Sequence, residues 1–384
     1  MTVSRDQLLD ALRQVQDPDL HKDIVSLGFI TEHTVTPAGE VKVTINLTTP
    51  ACPVKDLMKK QAEDLLRAIP GVKSVDVTMT AEVKGQTGGA PRTVAKDIKH
   101  IVAVTSGKGG VGKSTVTVNL ACALAKTGAR VGILDCDVYG PDIPMMMGLT
   151  GSPDQKERKL IPKVRYGVKT MSIGYLLEED KPVVWRGPMV HKLIEQFLGD
   201  VVWGELDYLL VDMPPGTGDA QLSLAQIVPL SGAVLVTTPQ AVSTYDVSKA
   251  IAMFKQVNVD ILGIVENMAG FGVEGRVVGG AKGTKVELEL GSKHETVELD
   301  AEGRFSTVVD IFGAGGGERL AKKHGFPVLG RVPIDPVVRV GGDGGDPVII
   351  ADPESLIAKT FDEIAGRAAQ RLAIREFAEL PILQ

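Results

Sequence analysis

The sequence predicts an α/β protein in which a doubly wound parallel sheet carries a glycine-rich loop, preceded by a small α+β module. Three observations support this. Apolar runs without polar alternation (IVAVTS, RVGILDCD, YLLVDMPP, AVLVTTP and ILGIVENM) recur between other segments, as strands buried on both faces of a parallel sheet do. The glycine-rich stretch GKGGVGKST, Gly107 to Thr115, falls between the first of these runs and a helical segment, VTVNLACALAKTG. Ahead of them, residues 1–82 follow a different rhythm of helix, strands, helix and strand.

In that first part, Ser4 and Gln7 have capping-box spacing, and Leu8, Leu9, Leu12 and Val15 follow at helical intervals. Val41, Val43, Ile45 and Leu47 alternate with Lys42, Thr44, Asn46 and Thr48, the period of a half-buried strand. Leu57, Ala62, Leu65, Leu66 and Ile69 form a helical stripe ending at Pro70-Gly71, after which Val75, Val77 and Met79 alternate again. Residues 83–100 are rich in glycine, proline and charge without an apolar period, and read as a linker to the large domain, 101–384. Within about 271–311, the runs KVELEL and ETVELD flank GSKH and predict an exposed β-hairpin inserted at a sheet edge. Leu356, Ile357, Phe361, Ile364, Leu372 and Phe377 predict an amphipathic C-terminal helix from about Ser355 to Leu380.

A chain of 384 residues accommodates two such cores. Its 42 basic and 48 acidic side chains, net charge -6, argue against nucleic acid or an anionic membrane as a bulk partner. The N-terminus has no apolar core of a signal peptide, and no segment approaches an uncharged membrane span. The three cysteines, Cys52, Cys122 and Cys136, are too few for a disulfide framework and fit a reducing cytoplasm.

Gly107, Lys108, Gly109, Gly110, Val111, Gly112, Lys113, Ser114 and Thr115 satisfy G-x-x-x-x-G-K-[ST]. The glycines let backbone N–H groups face phosphate oxygens, and the following helix turns its positive end toward the same anion. Lys113 suits the β and γ phosphates, and the Ser114 hydroxyl suits Mg²⁺. Gly107, Gly109 and Gly112 also have G-x-G-x-x-G spacing, but a dinucleotide pyrophosphate held by backbone alone needs no Lys-Ser-Thr behind it. Asp135 and Asp137 close the second strand, and LLVDMPPGTGD ends its strand on Asp212, where a carboxylate holds Mg²⁺ through water. Either aspartate alone also reads as a helix cap.

With Lys108 inside the loop, the sequence resembles the deviant Walker A ATPases of the SIMIBI type, which include MinD, ParA, the nitrogenase iron protein and the Mrp/Nbp35 proteins. The resemblance implies a P-loop NTPase that hydrolyses ATP as a homodimer, with Lys108 crossing to the partner's phosphates as an arginine finger does. It further implies that Asp137 orients the attacking water and that Asn267, Pro333 and Asp335 lie near the adenine, a base that an asparagine amide suits. DVYGPDIPMMMG, WRGPMV, DYLLVDMPPGTGD, TTPQAVSTYDV, VENMAGF, IFGAGGGERLAKK and GRVPIDPVVR are most similar to the Mrp/ApbC/Nbp35 iron–sulfur cluster carriers. LTTPACPVKD resembles the MIP18-like domain fused to many of them.

In that family a C-x-x-C pair follows the VENM strand and holds a bridging [4Fe–4S] cluster across the dimer. Here no cysteine follows Cys136. Cys52 stands before Pro53, which suits a first helical position, so it reads either as a thiolate at a helix N-terminus and an alternative cluster ligand, or as a small buried residue. Three functions remain open at this level. They are an ATP-dependent iron–sulfur carrier serving apoproteins or scaffold proteins, a MinD/ParA-like positioning ATPase, and a regulatory dimer without a cluster. The mixed charge of Glu363, Arg367, Arg371, Arg375, Glu376 and Glu379 favours a docked C-terminal helix over a membrane anchor.

Overall fold

A computed structural model describes residues 3–18, 20–83, 85, 95–177, 187–291 and 293–379. Most of the expected linker, residues 84 and 86–94, lies outside the described residues, as do Trp185 and Arg186 of WRGPMV.

The first unit comprises α1 (Arg5–Leu12), the short pair β1 (Gln16–Asp17) and β2 (Lys22–Asp23), β3 (Ile30–Val35), β4 (Glu40–Leu47), α2 (Lys55–Arg67) and β5 (Ser74–Ala81). The capping box forms: Ser4 N–H donates to Gln7 Oε1 (2.9 Å) and Gln7 N–H to Ser4 Oγ (3.3 Å). The sheet runs β3-β4-β5, with β3 antiparallel and β5 parallel to β4. Val41, Val43, Ile45 and Leu47 fall on its buried face against Leu8, Leu12, Ala62 and Leu66. Leu57, expected in the stripe of α2, is exposed; Met58 takes its place, because Met58, Ala62 and Leu66 repeat every four residues along one side.

The second unit continues with β6 (Ile98–Ser106), α3 (Lys113–Lys126), β7 (Val131–Asp135), α4 (Ile143–Met146), β8 (Gln155–Lys156), β9 (Lys159–Leu160), β10 (Lys163–Arg165), β11 (Val168–Ser172), α5 (Gly187–Gly199), β12 (Leu206–Asp212), α6 (Asp219–Ile227), β13 (Gly232–Thr237), α7 (Ala241–Gln256) and β14 (Ile261–Arg276). It closes with β15 (Lys285–Leu290), β16 (Lys293–Glu298), β17 (Arg304–Val309), α8 (Gly316–His324), β18 (Val328–Ile334), α9 (Pro336–Gly344), α10 (Val348–Ala351) and α11 (Leu356–Glu379). Nine strands form one sheet in the order β10-β11-β7-β12-β6-β13-β14-β17, with β18 also paired to β14. Neighbours from β11 to β14, and β18, are parallel, whereas β10 and β17 are antiparallel additions. Along β6, Val102 and Val104 enter one apolar layer while Ile101 and Ala103 enter the other, so both faces are buried and polar alternation is absent.

Three expectations change. β6 begins at Ile98, inside the stretch expected as linker. β14 does not stop with the apolar run ILGIVENM: Met268 (φ 56°) and Gly270 (φ 88°) kink it, and it runs on to Arg276. The insert is consequently two nested hairpins, β14 with β17 and, beyond them, β15 with β16.

α11 docks on β18 and α3, burying Ile357, Phe361, Ile364 and Leu372 while Leu356 stays exposed. Arg367 Nη1 donates to Leu329 O (2.9 Å), and Arg375 Nη1 to Ser231 O (2.7 Å). Among the described residues no helix is long and apolar enough to cross a membrane. The first unit seats on the second at the sheet's amino-terminal edge. Thr49 Oγ1 and Tyr208 OH share a hydrogen bond (3.1 Å), and a Cβ on Gly366 would lie 2.9 Å from Ala51 O.

Candidate nucleotide site

The glycine loop leaves β6 at the opposite, carboxyl edge. A side chain at Gly107 would collide with the backbone of Asp246 and Val247 in α7, and one at Gly112 with the amide of Asn267. Gly110 (φ 76°) and Gly112 (φ 82°) are left-handed, which a Cβ opposes. No atom lies within 4 Å of where a Gly110 side chain would start. The loop is thus closed on its inner wall and open outward, and Gly112 starts α3 directly before Lys113.

Beneath the loop, the ladder sets Ser172, Asp135, Asp212 and Val104 side by side across β11, β7, β12 and β6. Asp212 is fully buried and accepts three hydrogen bonds, from Lys113 Nζ (2.5 Å), Ser114 Oγ (2.7 Å) and Thr117 Oγ1 (2.6 Å). Lys113 Nζ also lies 3.6 Å from Asp137 Oδ2. Asp135 accepts from Ser172 Oγ (2.8 Å) and from the Asp137 N–H (3.1 Å).

Burial, and then the neighbouring Asp212, push Asp135 well above the usual carboxylate range. Burial raises Asp137 too, against the pull of Lys113. For Lys113, burial works against the ammonium, but Asp212, Asp137 and Asp135 outweigh it and raise its pKa. The lysine is therefore charged and held among three carboxylates.

The other expected residues are placed as follows. Lys108 Nζ rests on Gln240 Oε1 (3.3 Å), at the cap of α7. Asn267 Nδ2 donates to Val111 O (2.8 Å), so this amide braces the loop backbone. Pro333 lies in β18, which pairs with β14 at Asn267–Val332, and Asp335 caps α9 by accepting from the Val337 N–H (2.8 Å). Thr115 O accepts from Asn119 Nδ2 (2.9 Å) within α3.

Cys52 is half-buried against the core of the first unit, and Pro53 is not the first helical residue, since α2 begins at Lys55 after Val54. The placement at a helix N-terminus is therefore corrected: two residues of turn separate this thiol from the helix. Burial pushes the Cys122 thiol up to about 12, and burial with Asp135 raises Cys136 well above its ordinary value. Among the described residues, no three of His, Cys, Asp or Glu gather as a metal site.

Sequence reasoning missed Thr117, Ser172, Gln221 and Gln240. Thr117 lies four residues after Lys113 and so on the same side of α3, a spacing visible in the sequence. Gln221 is buried and donates to Thr105 Oγ1 and to Pro214 O, tying the PPGTGD stretch to β6. The oxygens of Ser114 and Asp212 are the hard donors that Mg²⁺ takes, and the open glycine loop above them has the form of a phosphate cradle.

The NUBPL iron-transfer P-loop NTPase family matches residues 97–278 and 301–369, and an iron-sulfur cluster assembly protein family matches residues 5–78. Residues 279–300, between the two matched stretches, hold β15 and β16. An iron-sulfur cluster carrier protein from Synechocystis sp. is 44% identical over 377 residues, 97% of this chain and 99% of that protein. One from Deinococcus radiodurans is 43% identical over 381 residues, 98% of each. The chloroplastic Fe-S cluster assembly factor HCF101 of Arabidopsis thaliana is 41% identical over 378 residues, 96% of this chain and 64% of that longer protein. Among solved structures, a nucleotide-binding protein from Archaeoglobus fulgidus in complex with ADP aligns with a TM-score of 0.53 at 38% identity, covering 70% of this chain and 98% of that one. With both units matched and relatives aligned along nearly the whole chain, the protein belongs to the iron–sulfur cluster carrier family of P-loop NTPases.

Proposed function

We propose that this chain hydrolyses ATP with Mg²⁺ as a homodimer and uses that cycle to carry iron–sulfur clusters to apoprotein clients or from scaffold proteins in the cytoplasm. The observation that carries the reading is the convergence of Lys113, Ser114 and Thr117 on the buried Asp212 beneath an open glycine loop. In this reading the backbone of Gly107–Thr115 takes the phosphates, and Lys113 moves from Asp212 toward the β and γ phosphates. Ser114 and, through water, Asp212 hold Mg²⁺, which when bound neutralises phosphate charge. Asp137 orients the attacking water, and Lys108 leaves Gln240 for the partner's nucleotide. Asn267, Pro333 and Asp335 border the base. Exposed Tyr139, Val242 and Tyr245 supply the apolar surface that self-association uses.

The cluster is cargo. Without a C-x-x-C pair, and with Cys122 and Cys136 buried, Cys52 is the cysteine left to hold it, together with ligands from its copy in the dimer or from a client. Two experiments test the reading. Anaerobic reconstitution with iron and sulfide should load the wild type but not Cys52→Ala. Mixing inactive Lys108→Ala and Lys113→Ala subunits should restore turnover. A wild type that retains no iron removes the carrier function, and mixtures that stay inactive remove catalysis across the dimer.

A further inference from the structure

Residues 155–169 hold six basic side chains and one acidic one, in a protein whose net charge is -6. Part of this stretch is the β8–β9 hairpin, and its local chemistry works against itself. Lys156 and Lys159 stand directly opposite each other, and like charges in that position destabilise a strand pair. The turn between them is Glu157-Arg158, both at positive φ (52° and 65°), where asparagine and glycine are the comfortable residues. Among the described residues, none of Lys156, Arg158 and Lys159 has an ion-pair partner, and all three are exposed. A segment that keeps unneutralised like charges on a strained turn points to an external anionic partner.

The hairpin is nevertheless held in place. Leu160 bridges to Val201, with Leu160 N–H donating to Asp200 O (3.0 Å) and Val202 N–H to Leu160 O (2.9 Å). Between the hairpin and the start of β6 lies a groove of about 390 Å³ with Lys159 and Lys96 on its rim, Asp97 beside them, and Leu198, Val202 and Trp203 beneath. Lys169 fixes that floor by donating to Trp203 O. Val202 keeps 43% of its surface exposed, enough to receive an apolar side chain.

We propose that the hairpin and groove are a docking site for an acidic segment of a partner protein, which lays carboxylates along Lys156, Arg158, Lys159 and Lys96 and seats an apolar residue on Val202. A protein partner is favoured over nucleic acid or lipid because the surface offers one apolar seat and no exposed aromatic for base stacking, while the whole molecule repels polyanions. The groove shares Lys96 and Asp97 with the cleft between the two units, so a docked partner lies beside the module that carries Cys52. It also lies at the opposite edge of the sheet from Lys113, which leaves the face around the glycine loop open to a second copy.

The test is fluorescence anisotropy on the full chain with a labelled peptide of alternating glutamate and leucine. A lysine–leucine peptide, a single-stranded oligonucleotide and phosphatidylglycerol vesicles are run in parallel. The acidic peptide should bind best and lose affinity as ionic strength rises. It should weaken at least about 10-fold in the Lys156→Glu/Arg158→Glu/Lys159→Glu variant and in Val202→Asp, with ATPase activity and circular dichroism unchanged. No binding of the acidic peptide, equal affinity in the charge-reversed variant, or tighter binding of the oligonucleotide or vesicles overturns the proposal.

Discussion

The two ends of β12 carry aspartates in opposite electrostatic situations. At the amino end, Asp207 meets Arg130 Nη2 (3.0 Å) and Lys99 Nζ (3.1 Å). Burial alone would raise its pKa, but the hydrogen bonds from Arg130 and the charge of Lys99 outweigh burial and lower it. At the carboxyl end, Asp135, Asp137 and Asp212 share the single ammonium of Lys113, and Asp135 and Asp137 are both raised. Cations and carboxylates balance where the strand begins, Arg130 and Lys99 against Asp207 and Glu205, and carboxylates outnumber the cation where it ends. The first arrangement is complete by itself and fastens β12 to its neighbours. The second lacks positive charge, and a magnesium ion with a phosphate-bound lysine would complete it, so in the proposed reading the unbalanced end is the chemical one.

Removing the shared cation should break the contrast most. Lys113→Ala leaves three buried carboxylates facing one another, and phosphate release from Mg-ATP should fall by about 100-fold or more. Gly107→Ala comes next, because its methyl group must displace the backbone at Asp246 and with it the loop wall; titration with a fluorescent ADP analogue should show affinity weakened by about 10-fold, or about 1.4 kcal/mol.

The amino end should respond in stability and leave catalysis untouched. Asp207→Asn should lower the melting temperature by about 2–4 °C near neutral pH, the equivalent of about 2 kcal/mol. Its folded pKa is depressed, so the stability it contributes is present above the ordinary carboxylate range and is lost as pH falls through the folded value. The gap between wild type and variant should therefore close in acid. Asp135 has the reverse sign. With a raised folded pKa, it favours folding below the ordinary range and loses that contribution as pH rises through the raised value. Asp135→Asn should accordingly melt with a flatter pH dependence than wild type as pH rises above the ordinary carboxylate range, a difference of about 1–3 °C.

The glycine loop was legible because its geometry demands particular residues: Gly107 and Gly112 are glycine since any side chain would strike Asp246 or Asn267. Asp212 was legible from its company: alone it also reads as a helix cap, but with Lys113, Ser114 and Asp137 it falls at the carboxyl edge of one sheet. Thr117 and Ser172 were not: the spacing of Thr117 from Lys113 is visible, but a hydroxyl in an apolar helix or strand acquires a role only when the packing of α3 or the register of β11 brings it to Asp212 or Asp135. For Asn267 the contact with Val111 was not foreseen, because a side chain's partner depends on which loop packs over it. The continuation of β14 was missed for a related reason. Polar Asn267 resembles a strand end, and only the pairing with β17 shows the backbone going on.

The C-terminal helix has already committed its greasy side. Ile357, Phe361, Ile364 and Leu372 lie against β18 and α3, and Arg367 and Arg375 latch the helix to main-chain carbonyls of the sheet. For those same residues to enter a lipid bilayer, the helix would first have to peel away and expose the interior it covers. As folded, α11 works as a lid on its own domain, and a surface consumed in that way cannot also serve as an anchor.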